Sequence, residues 1–111
     1  MAAEMIKSYW QNYINGSYVD GGAGRMVVDN PADGSQLAEV ALADAGDVDA
    51  AVAAARAAHE QGYLRKLRPV ERGRIVRKMG DYLLEHKERF ADILTLESGK
   101  PYWEAIIEIE G

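Results

Sequence analysis

The sequence predicts an α+β chain, with short strands and a hairpin first and helices after. Three observations carry that reading. Residues 9–29 are rich in aromatic and β-branched residues, broken by Asn15-Gly16 and by the glycines 21, 22 and 24. From Asp44 the apolar spacing changes from about 2 residues to about 3.6, the step from strand to helix. At 111 residues, 48% hydrophobic and 28% charged, the chain has the size and balance of one globular domain.

Taken in order, strands are expected near residues 11–14, 17–19 and 25–29. Asn-Gly between aromatic and β-branched residues is a strong hairpin signal, because Asn and Gly tolerate the positive φ of a tight turn. The glycine cluster separates the hairpin from the next strand. It lacks G-x-G-x-x-G spacing before a helix, so it reads as a turn and not as a dinucleotide loop. Asn30–Gln36, "NPADGSQ", is turn chemistry, with Pro31 fixing φ and Gly34 free to take positive φ. A further short strand, "QLAEVAL", follows.

The first helix is expected from Asp44, whose carboxylate can cap the amides, with Asp47 and Asp49 near the positive end of the dipole and Gly62 as the stop. Val48, Ala51, Val52, Ala55 and Ala58 make a flat stripe suited to close packing on a neighbour. Pro69 and Glu71 suit the start of a second helix. Arg68 stands at its cap position without an acceptor, a loss of about 1 kcal/mol. Ile75, Val76, Met79, Tyr82 and Leu83 form the stripe expected to be buried. After a break near His86 the spacing resumes at Phe90, Ile93, Leu94 and Glu97. Gly99 ends that helix and Pro101 starts another, with Trp103, Ile106 and Ile107 on one side. The last helix stops in mid-pattern at Gly111, which suggests truncation.

Composition excludes several classes. A net charge of −5 offers no basic patch for nucleic acid. No apolar run approaches the ~20 residues of a membrane span, and the opening "MAAEMIKSYWQNY" has no secretory pattern, so a cytoplasmic protein is expected. With no cysteine there is no disulfide, thiolate ligand or thiol nucleophile. Gly99-Lys100 falls short of a phosphate loop. Leu94 stands where the first glycine belongs, and Pro101 replaces the magnesium-binding hydroxyl. His59 and His86 lie far apart without a helical ligand pair and read as solvated. Glu104 and Glu108 share a helix face, and with Glu97 and Glu110 they could furnish an acid–base pair. Such i, i+4 carboxylates are commonplace on exposed helices. Ser98 has no His neighbour in sequence. No catalytic, cofactor-binding or metal-ligating residue is assigned.

Several patterns in fixed order nevertheless carry a resemblance: Ile14-Asn15-Gly16; Asn30-Pro31 with Gly34; Asp47-Val48 before an alanine helix; Pro69 with Glu71-Arg72; and Glu97-Ser98-Gly99-Lys100-Pro101. Together, over residues 12 to 110, they resemble the amino-terminal part of the aldehyde dehydrogenase superfamily. The resemblance implies that residues 1–111 are part of that family's α/β cofactor-binding domain, with 1–43 as strands and hairpin and 44–111 as helices. It also implies NAD- or NADP-dependent oxidation of an aldehyde to a carboxylic acid in a homo-oligomer. In the family a cysteine thiolate attacks the carbonyl, hydride passes to the nicotinamide, and a glutamate-activated water releases the acyl group. Those segments lie downstream of the matched part, so the partners implied are the remainder of the enzyme and an aldehyde. Some relatives hold a structural monovalent cation near the positions matching Val28, Asp29 and Glu108. The further ligand is absent, and no cation site is assigned. The fragment alone is expected to be inactive. The rival reading is a small non-catalytic α+β module that binds a protein partner through its helical face.

Overall fold

The computed structural model describes residues 6–111; residues 1–5, the start of the expected strand segment, lie outside the described residues. Among the described residues five strands precede four helices. The strands are β1 (Tyr9–Trp10), β2 (Asn12–Ile14), β3 (Ser17–Val19), β4 (Arg25–Asp29) and β5 (Gln36–Ala41). The helices are α1 (Ala45–Gln61), α2 (Pro69–Glu85), α3 (Lys87–Ser98) and α4 (Tyr102–Glu110).

The hairpin forms where Asn15-Gly16 predicts it. Asn15 at φ 51° and Gly16 at φ 80° both take the positive values a two-residue I′ turn needs, setting Ile14 opposite Ser17. It stands as a separate two-stranded ribbon, with Tyr13 and Tyr18 edge to face across the pair. A second sheet has the order β1-β5-β4. β5 pairs antiparallel with β4, with an irregularity between Val28 and Asp29, and parallel with β1. The sequence pattern starts its first strand at residue 11 and gives no sign of parallel pairing. Tyr9–Trp10 corrects both points. Two residues give no alternation to read, and β1 exists because β5 arrives to pair with it through Glu39 and Val40.

The turn at Asn30–Gln36 is self-bonded. Asn30 Oδ1 accepts from Ala32 N at 2.9 Å, and Asp33 Oδ1 accepts from Ser35 N at 2.9 Å. In the glycine cluster the reason for glycine is space: a Cβ on Gly21 would lie 2.1 Å from the Leu42 carbonyl oxygen. There the backbone runs alongside the end of β5, with Ala23 N donating to Leu42 O at 3.0 Å.

α1 starts at Asp44 with a reciprocal capping box. Asp44 Oδ1 accepts from Asp47 N, and Asp47 Oδ2 accepts from Asp44 N, each at 2.9 Å. Gly62, at φ 79°, ends it. At α2 the expected lack of a side-chain cap holds, and the residue three positions on offsets part of it. Arg68 indeed has no acceptor, but Glu71 reaches back to the Arg68 amide at 2.9 Å and to its guanidinium at 3.2 Å. Half of a capping box therefore survives, with an ion pair added.

The faces correct the sequence more deeply. α1 buries no residue, and the stripe expected to be covered on α2 is open apart from half-buried Ile75. Val76 is 66% and Met79 62% exposed, with Tyr82 and Leu83 exposed beside them. Among the described residues the buried apolar side chains are Ala38 in β5, Ala91 in α3 and Ala105 in α4. The physical reason is the shape. The extents are 48 × 35 × 17 Å and the radius of gyration is 17.1 Å, against about 13 Å for a compact protein of 100 residues. A slab this thin has little interior for large side chains.

Candidate functional site

The motifs of greatest interest meet at one junction. α3 ends on Gly99 in the left-handed region at φ 74°, its amide donating to Thr95 O at 2.9 Å. A Cβ there would lie 3.1 Å from Pro31 Cγ, so the Gly-Lys-Pro turn seats against the Asn-Pro turn. Ser98 Oγ donates to Leu94 O at 2.6 Å and accepts from Lys100 N at 3.2 Å, which makes it a helix-end residue. Lys87 of α3 pairs with Glu110 of α4 at 2.6 Å, which clamps the two helices, and Lys100 in the turn between them pairs with Glu108 of α4. Of the four glutamates weighed as an acid–base group, two are thus engaged by lysines. Lys87 is held above the usual ammonium range by its hydrogen bond and charge pairing with Glu110.

His59 is exposed in the last turn of α1. His86 departs from a solvated reading: it is half-buried at the α2–α3 break, its ring 4.3 Å from that of Tyr82. Among the described residues no three His, Asp or Glu side chains converge as a metal group.

Two arrangements are not visible in the sequence. The first is a polar cluster across the strands. Tyr9 Oη donates to Asp20 Oδ1 at 2.8 Å, and Gln11 Nε2 donates to the same oxygen at 3.1 Å. Arg25 stacks 3.7 Å over the Tyr9 ring and bonds Glu39 Oε2 at 3.1 Å. The bonds from Tyr9 and Gln11 hold the Asp20 carboxyl below its ordinary range, and the Asp20 carboxylate pushes the Tyr9 phenol up. This is a strand-to-strand tie made by residues distant in sequence. The second is an apolar recess of about 320 Å³, where Phe90 and Ile93 of α3 face Val28, Leu37 and Val40 of the sheet. Its lining is that of an incompletely filled layer between helix and sheet.

Strands followed by four helices in this arrangement form an α+β piece of the NAD-binding fold found in aldehyde dehydrogenases. The backbone superposes on an NAD-dependent aldehyde dehydrogenase from Sinorhizobium meliloti with a TM-score of 0.88 at 36% identity, covering 95% of this chain and 21% of that one. It superposes on betaine aldehyde dehydrogenase from Staphylococcus aureus, solved with NAD+, with a TM-score of 0.91 at 27% identity, covering 98% and 22%. In sequence it is 40% identical over 98 residues to the cytosolic 10-formyltetrahydrofolate dehydrogenase of Xenopus tropicalis, covering 87% of this chain and 11% of that protein. It is 42% identical over 90 residues to the putative aldehyde dehydrogenase DhaS of Bacillus subtilis, covering 80% and 18%. The aldehyde dehydrogenase family model matches residues 18–111. The protein belongs to the aldehyde dehydrogenase family, whose members are oxidoreductases, and it spans between a tenth and a fifth of the length of these two relatives.

Neither the start of α1 nor the Gly-Lys-Pro turn fits the pyrophosphate of a dinucleotide. The first amides of α1 already face the carboxylates of Asp44 and Asp47, which would repel an anion. The Gly99 amide is spent on its own helix, Pro101 has no N–H, and the Lys100 ammonium is neutralised by Glu108.

Proposed function

We propose that this protein is the amino-terminal part of an NAD(P)-dependent aldehyde dehydrogenase that oxidises an aldehyde to a carboxylic acid, and that the 111 residues alone do not turn over. One observation carries the reading. The backbone follows the path of full-length aldehyde dehydrogenases over about a fifth of their length, yet the apolar stripes of α1, α2 and α4 stay open. Such stripes are the faces a further layer of protein would cover. The proposed reaction takes an aldehyde, water and oxidised cofactor to a carboxylate, reduced cofactor and protons. It needs a thiol nucleophile, and these residues include none. The segment's own contribution is scaffolding, in which α3 and α4 are clamped over the sheet and α1 is pinned by its end. We assign the parent enzyme to the cytoplasm as a homo-oligomer. Several sequence relatives are cytosolic dehydrogenases, which supports the first half of that assignment.

The test has two arms. The purified protein mixed with aldehydes and either cofactor is expected to form no NADH or NADPH. Co-expressed with the Bacillus subtilis relative lacking its matching residues, it is expected to restore a soluble, active complex. Turnover by the 111 residues alone overturns the inactive-fragment reading. A monodisperse monomer with a steep melt and no binding of an apolar-surface dye would favour the independent interaction module.

A further inference from the structure

We propose that Asn15 is a site of spontaneous covalent conversion, in which the Gly16 backbone amide cyclises onto the Asn15 side chain and the turn ends as aspartate or isoaspartate. The sequence has three asparagines and two Asp-Gly pairs, all candidates for the same chemistry. Four of the five are blocked by features of the fold. Asn30 precedes Pro31, whose nitrogen carries no proton and cannot act as the nucleophile. Asn12 lies within β2 ahead of the bulky Tyr13, and its Nδ2 is buried. Asp20 has its carboxylate engaged by Tyr9 and Gln11. Asp33 is engaged by Ser35, and the following Gly34 amide is committed to Asn30 O at 2.7 Å.

Asn15 differs on every count. It and Gly16 are exposed at the tip of the hairpin, and neither the Asn15 side chain nor the Gly16 amide hydrogen-bonds another described residue. Beyond its chain neighbours no atom lies within 4 Å of where a Gly16 Cβ would stand, so nothing else crowds that side of this exposed residue. The hairpin that holds the turn is a separate two-stranded ribbon, an arrangement of marginal stability that opens readily.

The step balances without any added reagent but water. The Gly16 amide loses its proton to solvent, and its nitrogen attacks Asn15 Cγ. The bond between Asn15 Cγ and Nδ2 breaks and ammonia leaves, closing a five-membered succinimide. Water then adds at one of the two ring carbonyls. Opening on one side leaves an ordinary aspartyl link; opening on the other routes the backbone through the β-carbon. The second product inserts an extra methylene into a two-residue turn. Ile14 can then no longer sit opposite Ser17, and the register from Asn12–Val19 to Ile14–Ser17 is lost. Because the same turn borders a recess against Ala51, Ala54, Ala55 and Ala58, the change also alters what lies over the α1 stripe.

The experiment ages the full 111-residue protein in mildly alkaline buffer beside the synthetic peptide YINGSYV, the clock for the unhindered reaction. Proteolytic mass mapping and isoaspartyl methyltransferase labelling locate the product. Conversion is expected at position 15, with ammonia release in step and with Asn12, Asp20, Asn30 and Asp33 unchanged. Gly16→Ala, which shields the nitrogen, is expected to slow it severalfold, and Asn15→Gln to abolish it. Absence of product at position 15 once the peptide has fully converted overturns the proposal. So does equal labelling at Asp33, or an unchanged rate in Gly16→Ala.

Discussion

α1 and the α3–α4 pair all show helical spacing in the sequence, yet the fold holds them in opposite ways. α1 is fixed at its end. Asp44 and Asp47 cap each other, and Asp47 Oδ2 also accepts the Gly22 amide at 2.7 Å, tying the helix to the glycine cluster. Along its length it buries nothing, and Val52 is 61% exposed. α3 and α4 are fixed along their length, with Ala91 and Ala105 fully buried, Lys87 of α3 paired with Glu110 of α4, and Lys100 of the intervening turn paired with Glu108, while neither helix has a side-chain cap. Caps satisfy local amides and need only neighbours in sequence. Packing needs a partner surface, and this protein supplies one for α3–α4 and little for α1.

The contrast can be broken at its strongest point first. Gly21→Ala should detach the anchored end of α1, because its Cβ would meet the backbone at Leu42 and no rotamer change can relieve that. A loss of about 3 kcal/mol is expected in a urea titration followed by far-UV dichroism. Ala105→Leu attacks the packed pair instead and should cost about 1–3 kcal/mol by overpacking. Asp44→Ala should cost about 1 kcal/mol and show as lost helical signal, with Asp44→Asn retaining most of it. The matched enlargement on the open helix, Ala53→Leu, should move the same melt by no more than about 0.5 kcal/mol. Equal effects at Ala53 and Ala105 would erase the distinction between the two regions.

The smallest effect is acid sensitivity. Asp47 is held below its ordinary range by the Gly22 and then the Asp44 amides, and Glu71 by the Arg68 guanidinium and then the Arg68 amide. A depressed folded pKa means the contribution is complete above the unfolded value, near 3.8 for Asp47 and 4.5 for Glu71, and is lost as pH falls through the folded one. Helical signal should therefore decline modestly below those values, and Asp47→Asn should flatten that decline.

What the sequence makes legible follows the same division. Asn15-Gly16, Asp44, Gly62 and Gly99 specify turns and ends through local chemistry, and each does in the fold what its residue type requires. The break at His86 is legible because the apolar spacing itself shifts there. β1 is not legible, being two residues made into a strand by Glu39 and Val40. The stripes of α1 and α2 suggest burial that the fold does not provide, because periodicity reveals which face is apolar but not whether anything lies against it. Arg68 taken alone suggests a weak helix start, and its side chain indeed caps no helix amide, but the carboxylate of Glu71, three residues on, adds a bond to the Arg68 amide that the cap position alone does not reveal. The junction motifs are recognisable singly; that Pro31 and Gly99 touch each other is tertiary information.

The order β1-β5-β4 places the last strand of the sheet in its middle. A ribosome therefore delivers both flanking strands before the one that joins them. Until Gln36–Ala41 clears the exit tunnel, Tyr9–Trp10 and Arg25–Asp29 have no shared neighbour, and each presents unpaired backbone amides and carbonyls. Nascent polypeptides from which Arg25–Asp29 has emerged but Gln36–Ala41 has not should be the ones a holding chaperone grips hardest, and those in which Gln36–Ala41 has emerged too should let go.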